Sequence, residues 1–413
     1  MAKKEYYVAG LDLGSYKTRA LICQPGAGGK LEVTGFGEAD SRGWRKGVIV
    51  NLDAVVLPLK KAVEQAEAQA GLPVEAAYVG VGGAHIKGVN SRGGLSLGQA
   101  NKNTREVTQQ DVTQVIQTAQ GIALPPDRER LYVEQQEYLV DSQGDFRNPV
   151  GMAGSRLEVN VHIITASKQA HQNVVTAVNR AGVEVKDTVY EPLASSLACL
   201  RPDDRELGVA LVDIGAGSTG LIVYSQGSVR HTAVVPVGGE HFTNDVAVGL
   251  RTPIPEAEKM KRAWGERDTS KPSYTVLEVS SVGERPMRAV SYAMLSEILE
   301  PRGEELMELV QAELARSGLE KQLGAGVVLV GGGAKLGGLA AIAEAKLGMP
   351  VRVASPRSPA SAGKMTETLS DPAYATLVGL IAYANRLELL KDKDKEDTTW
   401  KGRLWKALGV KGD

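Results

Sequence analysis

Cysteine is scarce here, with Cys23 and Cys199 the two examples in 413 residues. Both sit in apolar, strand- or helix-like contexts, which excludes a disulfide framework and any cysteine-based metal spacing. They fit buried thiols in a reducing cytoplasm. An excess of one charge sign is also missing. Net charge is −1, from 48 Lys and Arg against 49 Asp and Glu, so no basic bias asks for nucleic acid. No apolar run approaches the ~18 residues of a membrane span. The opening Met-Ala-Lys-Lys-Glu-Tyr-Tyr lacks the apolar core of a signal peptide. The body of the chain is therefore expected in the cytoplasm. With 43% hydrophobic and 23% charged residues, this length predicts two or three ordinary soluble domains with large cores.

What the chain does have is a motif at its centre. Val209, Ala210, Leu211 and Val212 read as a buried strand that delivers one carboxylate, Asp213, at its end. Gly215 and Gly217 allow a tight turn with inward N–H groups, Ser218 and Thr219 add hydroxyls, and Leu221–Tyr224 starts a second strand. Backbone amides and hydroxyls suit phosphate oxygens, and the neighbouring Asp suits water-coordinated Mg²⁺. A plain β-hairpin would look similar. The stretch Val8–Cys23, however, follows the same plan. Aligning Asp12 with Asp213 sets Gly14 on Gly215 and Thr18 on Thr219. A repeat spaced by half a chain predicts two similar lobes facing each other across a nucleotide, each giving one hairpin to the phosphates.

Further elements follow in order. Leu31–Gly37 and Ala76–Val81 read as strands, and Asp53–Ala70 as a helix closed by Gly71, with Pro58 one turn inside. Ile86–Ala166 has the size of an inserted α+β domain. In it Thr108 and Asp111 form a capping-box-like start. In Leu157–Thr165 apolar residues alternate with Glu158, Asn160 and His162, which predicts a solvent-facing His162. Ala289–Ser317 reads as one long helix broken or bent at Pro301, and Pro372–Leu390 as a last packed helix.

Three other stretches can carry chemistry, each with a plainer alternative. Val327–Val330 runs into Gly331, Gly332, Gly333, Ala334 and Lys335; such a turn lets backbone approach a ribose or adenine, or simply starts a helix. Glu258, Lys261 and Arg262 share one helical face, either as a solvated ion-pair stripe or as groups for ribose and base. Glu191 before Pro192 either starts a helix or orients an attacking water.

The order of first hairpin, Glu-Pro connection, second hairpin, Glu-x-x-Lys helix and glycine turn resembles the actin/heat-shock-chaperone ATPase superfamily. Within it the chain resembles the FtsA family of bacterial cell-division proteins along nearly its full length. The residues that carry this are Ser41–Gly47, Asn148–Gly154, Val161–Thr165, Glu206–Asp213, Arg230–Thr232, Ser281–Pro286 and Glu300–Arg302. The resemblance implies an α/β, actin-like two-lobed fold of duplicated ribonuclease-H-like domains with a small inserted α+β domain. The first lobe would comprise 1–85, 166–205 and 360–390, and the insert 86–165. The second lobe would comprise 206–238 and 303–359, with a small subdomain at 239–302. ATP and Mg²⁺ are the implied cofactors. Asp12 and Asp213 would hold Mg²⁺ through water, and Glu191 would join them in catalysis. Gly14, Ser15, Tyr16 and Lys17 would cradle phosphates from one lobe, and Gly215, Ala216, Gly217 and Ser218 from the other. Glu258 and Lys261 would meet ribose and base, and Gly331–Lys335 the adenosine. Gly220 stands where many of these ATPases place a second Asp, so binding with at most slow turnover is expected.

The C-terminus adds a second theme. Lys391–Thr399 alternates charges without an apolar residue and reads as a solvated tether. Residues 400–413 follow. On a helix Trp400, Leu404 and Leu408 line one side with Trp405 at its edge, while Lys401, Arg403 and Lys406 supply cationic flanks. Such helices lie in a membrane interface, where anionic lipid adds roughly 1 kcal/mol per basic residue. Docking on a protein surface is the alternative. Self-association would multiply one weak attachment through avidity.

The expected function is a cell-division adaptor that binds ATP, forms actin-like protofilaments and anchors the tubulin-like FtsZ ring to the membrane. It would work on the cytoplasmic side, at the division septum. By the resemblance, the FtsZ C-terminal peptide would dock on the small subdomain, where Arg285, Arg288 and Arg302 are candidate contacts; as bare residues they read as surface cations or ion-pair members. Other division proteins would bind too. The rivals are a pilus-assembly scaffold and a sugar-kinase-like phosphotransferase of the same fold.

Overall fold

The computed structural model describes residues 6–26, 31–98, 104–265, 276–279, 287–357 and 360–396. Its frame is two sheets of one plan. In the first, Glu184–Tyr190, Ala76–Val81, Val8–Leu13, Lys17–Pro25 and Leu31–Asp40 lie side by side, with Ala360–Ser361 at the edge. Val8–Leu13 pairs antiparallel with Lys17–Pro25 and parallel with Ala76–Val81. In the second, Val209–Ile214 pairs antiparallel with Thr219–Ser225 and parallel with Val327–Val330. Ser228–Val235 and Val351–Val353 flank them. The repeat of sequence is thus a repeat of topology. Val209–Val212 and Val327–Val330 are buried throughout, which is why they read as unbroken apolar runs.

Helices cover these sheets. Leu52–Ala70 begins where the Asn51 side chain accepts from the Ala54 amide and ends at Gly71, whose φ is +71°. Val55, Leu59, Ala62, Val63 and Ala66 form its buried stripe, and the helix continues through Pro58. Ala375–Glu396 packs against Val8–Leu13 and the helix Glu191–Cys199. It therefore carries helix through residues 391–396, which were expected to be tether. Lys and Glu are good helix formers, so a charged run can extend a helix that packing has already nucleated.

The stretch between the first sheet's strands Ala76–Val81 and Glu184–Tyr190 builds its own sheet. Gln143–Phe146, Arg128–Val140, Arg156–Ser167 and Lys87–Ser96 lie in that order, covered by the helix Gln109–Gln120. Thr108 and Asp111 cap that helix reciprocally, and Arg105 clamps both Asp111 oxygens at 2.6 Å. The solvent-facing assignment of His162 is corrected: the residue is 1% exposed. Its Nδ1 lies 2.7 Å from Asn90 Oδ1 and its Nε2 2.9 Å from Thr232 Oγ1. Thr232 belongs to Ser228–Val235 of the second sheet. Alternation along a strand reports two faces, and here another part of the chain covers the side expected to be in water.

The long helix is also shorter than expected. It spans Tyr292–Ser317 and runs through Pro301, while Arg288–Ser291 is a strand paired with Val276–Val279. The Ser291 side chain accepts from the Met294 amide and sets the boundary.

Candidate functional site

The two hairpin turns end at one cavity of about 490 Å³. Asp12, Gly14, Ser15, Tyr16 and Lys17 line it from one side, and Asp213, Gly215, Ala216, Gly217 and Ser218 from the other. Glu191, Glu258, Lys261, Gly331, Gly332, Gly333 and Lys335 complete the expected set. Ala334 does not belong to it. The turn closes as a short 3₁₀ helix, Gly332–Lys335, and Ala334 is 4% exposed within the core beneath the second sheet.

The carboxylates are unequal in their surroundings. Burial pushes Asp12 up to about 6, with Asp213 and Glu38 adding to the rise and Arg19 opposing it. Asp213 is raised by burial, although Ser195 Oγ donates to its Oδ2 at 2.6 Å and Thr376 Oγ1 at 3.2 Å. Glu191 is raised well above the ordinary range by burial and by the charges of Asp12 and Asp213. Three carboxylates that resist ionising together make a site that favours a cation.

Strand register explains the asymmetry. Asp12 sits across from Arg19, whose Nη1 is 3.5 Å from Asp12 Oδ2. Asp213 sits across from Gly220. A Cβ at Gly220 would collide with Pro192 Cγ, so the ring of Pro192 occupies the place a second carboxylate would need. Gly331 is required for a different reason. Its φ is +83°, and a Cβ there would lie 2.5 Å from Asp213 Oδ1.

On the rim, Glu258 gathers the cations of its helix, Ile254–Gly265. Oε2 accepts from Lys261 Nζ at 2.7 Å and from Thr243 Oγ1 at 2.6 Å, while Oε1 accepts from Arg262 Nε at 2.9 Å. Burial pushes Glu258 up, but these partners outweigh it and hold the carboxyl below its usual range. The Lys17 ammonium pairs with Asp40 at 2.8 Å and Glu38 at 3.2 Å, away from a free phosphate-facing pose. Lys335 pairs with Asp371.

The partner and membrane residues fare differently. Arg302 is engaged by Asp245 at 2.5 and 3.1 Å and by Glu305, as an ion-pair member. Arg288 lies exposed on its strand. Arg285 lies outside the described residues, as do Trp400, Lys401, Arg403, Leu404, Trp405, Lys406 and Leu408. No helix among the described residues is long and apolar enough to cross a membrane.

Some site residues escaped the sequence. Arg19 follows from counting the antiparallel register back from the turn. Ser195 lies one helical turn after Glu191, a spacing that could have flagged it. Thr376, 163 residues after Asp213, left no signal.

The site's geometry can be set beside known proteins. A family model described as cell division protein FtsA matches residues 210–379, and one described as an SHS2 domain inserted in FtsA matches residues 83–165. Cell division protein FtsA of Pseudomonas aeruginosa is 42% identical over 384 residues, covering 91% of this chain and 88% of its own length. A PilM–PilN type IV pilus biogenesis complex superposes with a TM-score of 0.62 at 16% identity, covering 91% of this chain and 97% of that one. MreB5 of Spiroplasma citri bound to ADP gives 0.53 at 13% identity, covering 95% and 99%. At such identities these structures show a shared actin-like α/β fold and nothing further.

Proposed function

This chain belongs to the FtsA family of bacterial cell-division proteins, and from that premise we propose that it binds ATP with Mg²⁺, self-associates and anchors FtsZ to the membrane. One observation carries the nucleotide part: two glycine turns, one tipped by the buried Asp12 and the other by the half-buried Asp213, open into one cavity. Backbone amides of Gly14–Lys17 and Gly215–Ser218 would take the phosphates. Among the described residues no group of three His, Cys, Asp or Glu could hold a bare metal ion. A hydrated Mg²⁺ bound through water fits better, between Asp12 and Asp213. Bound there, the ion would neutralise phosphate charge.

Glu191, which lines the cavity between the two turns, is placed to orient a water. Pro192 fills the position where a second carboxylate would assist, so turnover is expected to be slow. ATP would thus govern assembly state more than supply chemistry. The cationic Trp-containing segment at 400–413 would fasten the assembled protein to anionic lipid, with linked copies adding avidity. Exposed Arg288 is the candidate contact for an acidic FtsZ peptide at the septum, and further division proteins would join there.

Vesicle sedimentation tests the proposal. Full-length protein with ATP and Mg²⁺ is expected to pellet with anionic vesicles and carry FtsZ down, and the 1–399 truncation to stay soluble. Full-length protein that ignores anionic vesicles would overturn the anchoring role.

A further inference from the structure

Tyr16 is a large aromatic that packing does not account for, 45% exposed on the turn of the first hairpin. Its hydroxyl accepts a hydrogen bond from Arg262 Nη2 at 2.7 Å, across 246 residues of sequence and from the opposite side of the cavity. The Arg262 guanidinium also lies 5.4 Å from the centre of the Tyr16 ring, and Lys17 Nζ lies 5.8 Å from it. Arg262 does not reach over by chance of rotamer. Glu258 Oε1 fixes its Nε at 2.9 Å, and Glu258 is itself held by Thr243 and Lys261. Lys17 is fixed by Asp40 and Glu38. The Tyr16 ring is therefore contacted by two cations, each anchored by its own acid. Both Tyr16 and Arg262 line the cavity, and the Arg262 side chain is 53% exposed, which puts the pair at the mouth and not the floor.

We propose that Tyr16 and Arg262 form a strap across the mouth of the cleft that must part before a nucleotide enters or leaves. The inference rests on the nucleotide-binding function proposed above. A strap of this kind sets rates. It raises the barrier in both directions and leaves the bound and free states nearly untouched, so it slows exchange without tightening binding. A side chain that grips the ligand behaves otherwise, because losing it speeds release alone. The two residues are thus positioning residues for nucleotide exchange.

Stopped-flow fluorescence with an N-methylanthraniloyl ATP analogue and Mg²⁺ distinguishes these cases on the full chain. The variants are Tyr16→Phe, which keeps the ring and removes the hydroxyl, Arg262→Gln, and the double substitution. Association and dissociation rates are expected to rise together, several-fold in Tyr16→Phe and about tenfold in Arg262→Gln, as for loss of a charge-assisted hydrogen bond with its ring contact. Kd should stay within about twofold, because Tyr16→Phe keeps the backbone amide that would face a phosphate and the Arg262 guanidinium is turned to Glu258 and the Tyr16 hydroxyl. The double variant should match Arg262→Gln, because one contact cannot be lost twice. Dissociation that rises alone, with Kd weakening by the same factor, would overturn the strap and make Arg262 a ligand contact. Unchanged rates in all three variants would overturn it equally. If the wild type gives no binding signal, the nucleotide reading itself fails and the strap falls with it, a result distinct from altered or unaltered rates.

Discussion

Replacing Asp12 by Asn should stabilise the ligand-free protein while destroying its capacity for Mg²⁺-ATP. Burial raises the Asp12 carboxyl from 3.8 to about 6. The native state therefore holds its proton more tightly than the unfolded chain. That contribution is complete below 3.8 and is lost as pH rises through about 6. At about 1.4 kcal/mol per unit, the ionised carboxylate costs about 3 kcal/mol at pH 7.5. Asn is a neutral stand-in for the protonated acid and escapes that cost. Arg19 is not orphaned by the change, since Glu38 and the Ala373 carbonyl each hold it at 2.8 Å. Hydrogen exchange of peptides spanning Val8–Pro25 reads the effect locally, without assuming that the whole chain unfolds in one step. At pH 7.5 exchange in Asp12→Asn should be slower by about a hundredfold, and at pH 5 the advantage should shrink to about 1.5 kcal/mol. Adding ATP and Mg²⁺ should protect the wild type and leave the variant unchanged. Faster exchange in the variant than in wild type at pH 7.5, or an equal advantage at both pH values, would refute a burial cost at Asp12.

Two more predictions come from packing and titration. Gly220→Ala should loosen Val209–Ser225 by about 1–2 kcal/mol, the cost of crowding Pro192 less the gain in strand propensity. Pro192→Ala should relieve most of it, seen as non-additive exchange rates in the double variant. His162 is lowered from 6.5 to about 3, by burial and then by the charge of His231. Its contribution is present above 6.5 and is lost as pH falls toward 3, about 2 kcal/mol by pH 5. The protection factor of Lys87–Ser96, which pairs with the His162 strand, should therefore fall on acidification, and His162→Gln should remove that part of the pH dependence.

What the sequence by itself determined is the pair of Asp-tipped turns, and through them the duplicated lobes. A buried strand ending in Asp, then glycine, then hydroxyls is a demand made by neighbouring residues on one another, so it stays legible in a single line of text. The insert and its capping box at Thr108 were legible for the same reason. Tertiary structure decided everything that depends on residues meeting from far apart. It set Arg19 beside Asp12 but Pro192 beside Gly220, brought Ser195 and Thr376 to Asp213, and turned Ala334 into the core. It also covered His162 with Thr232 and engaged Arg302 with Asp245. Periodicity and spacing describe how a residue sits on its own element. Which atoms face it from another element is fixed only when the register and packing of the whole chain place them there.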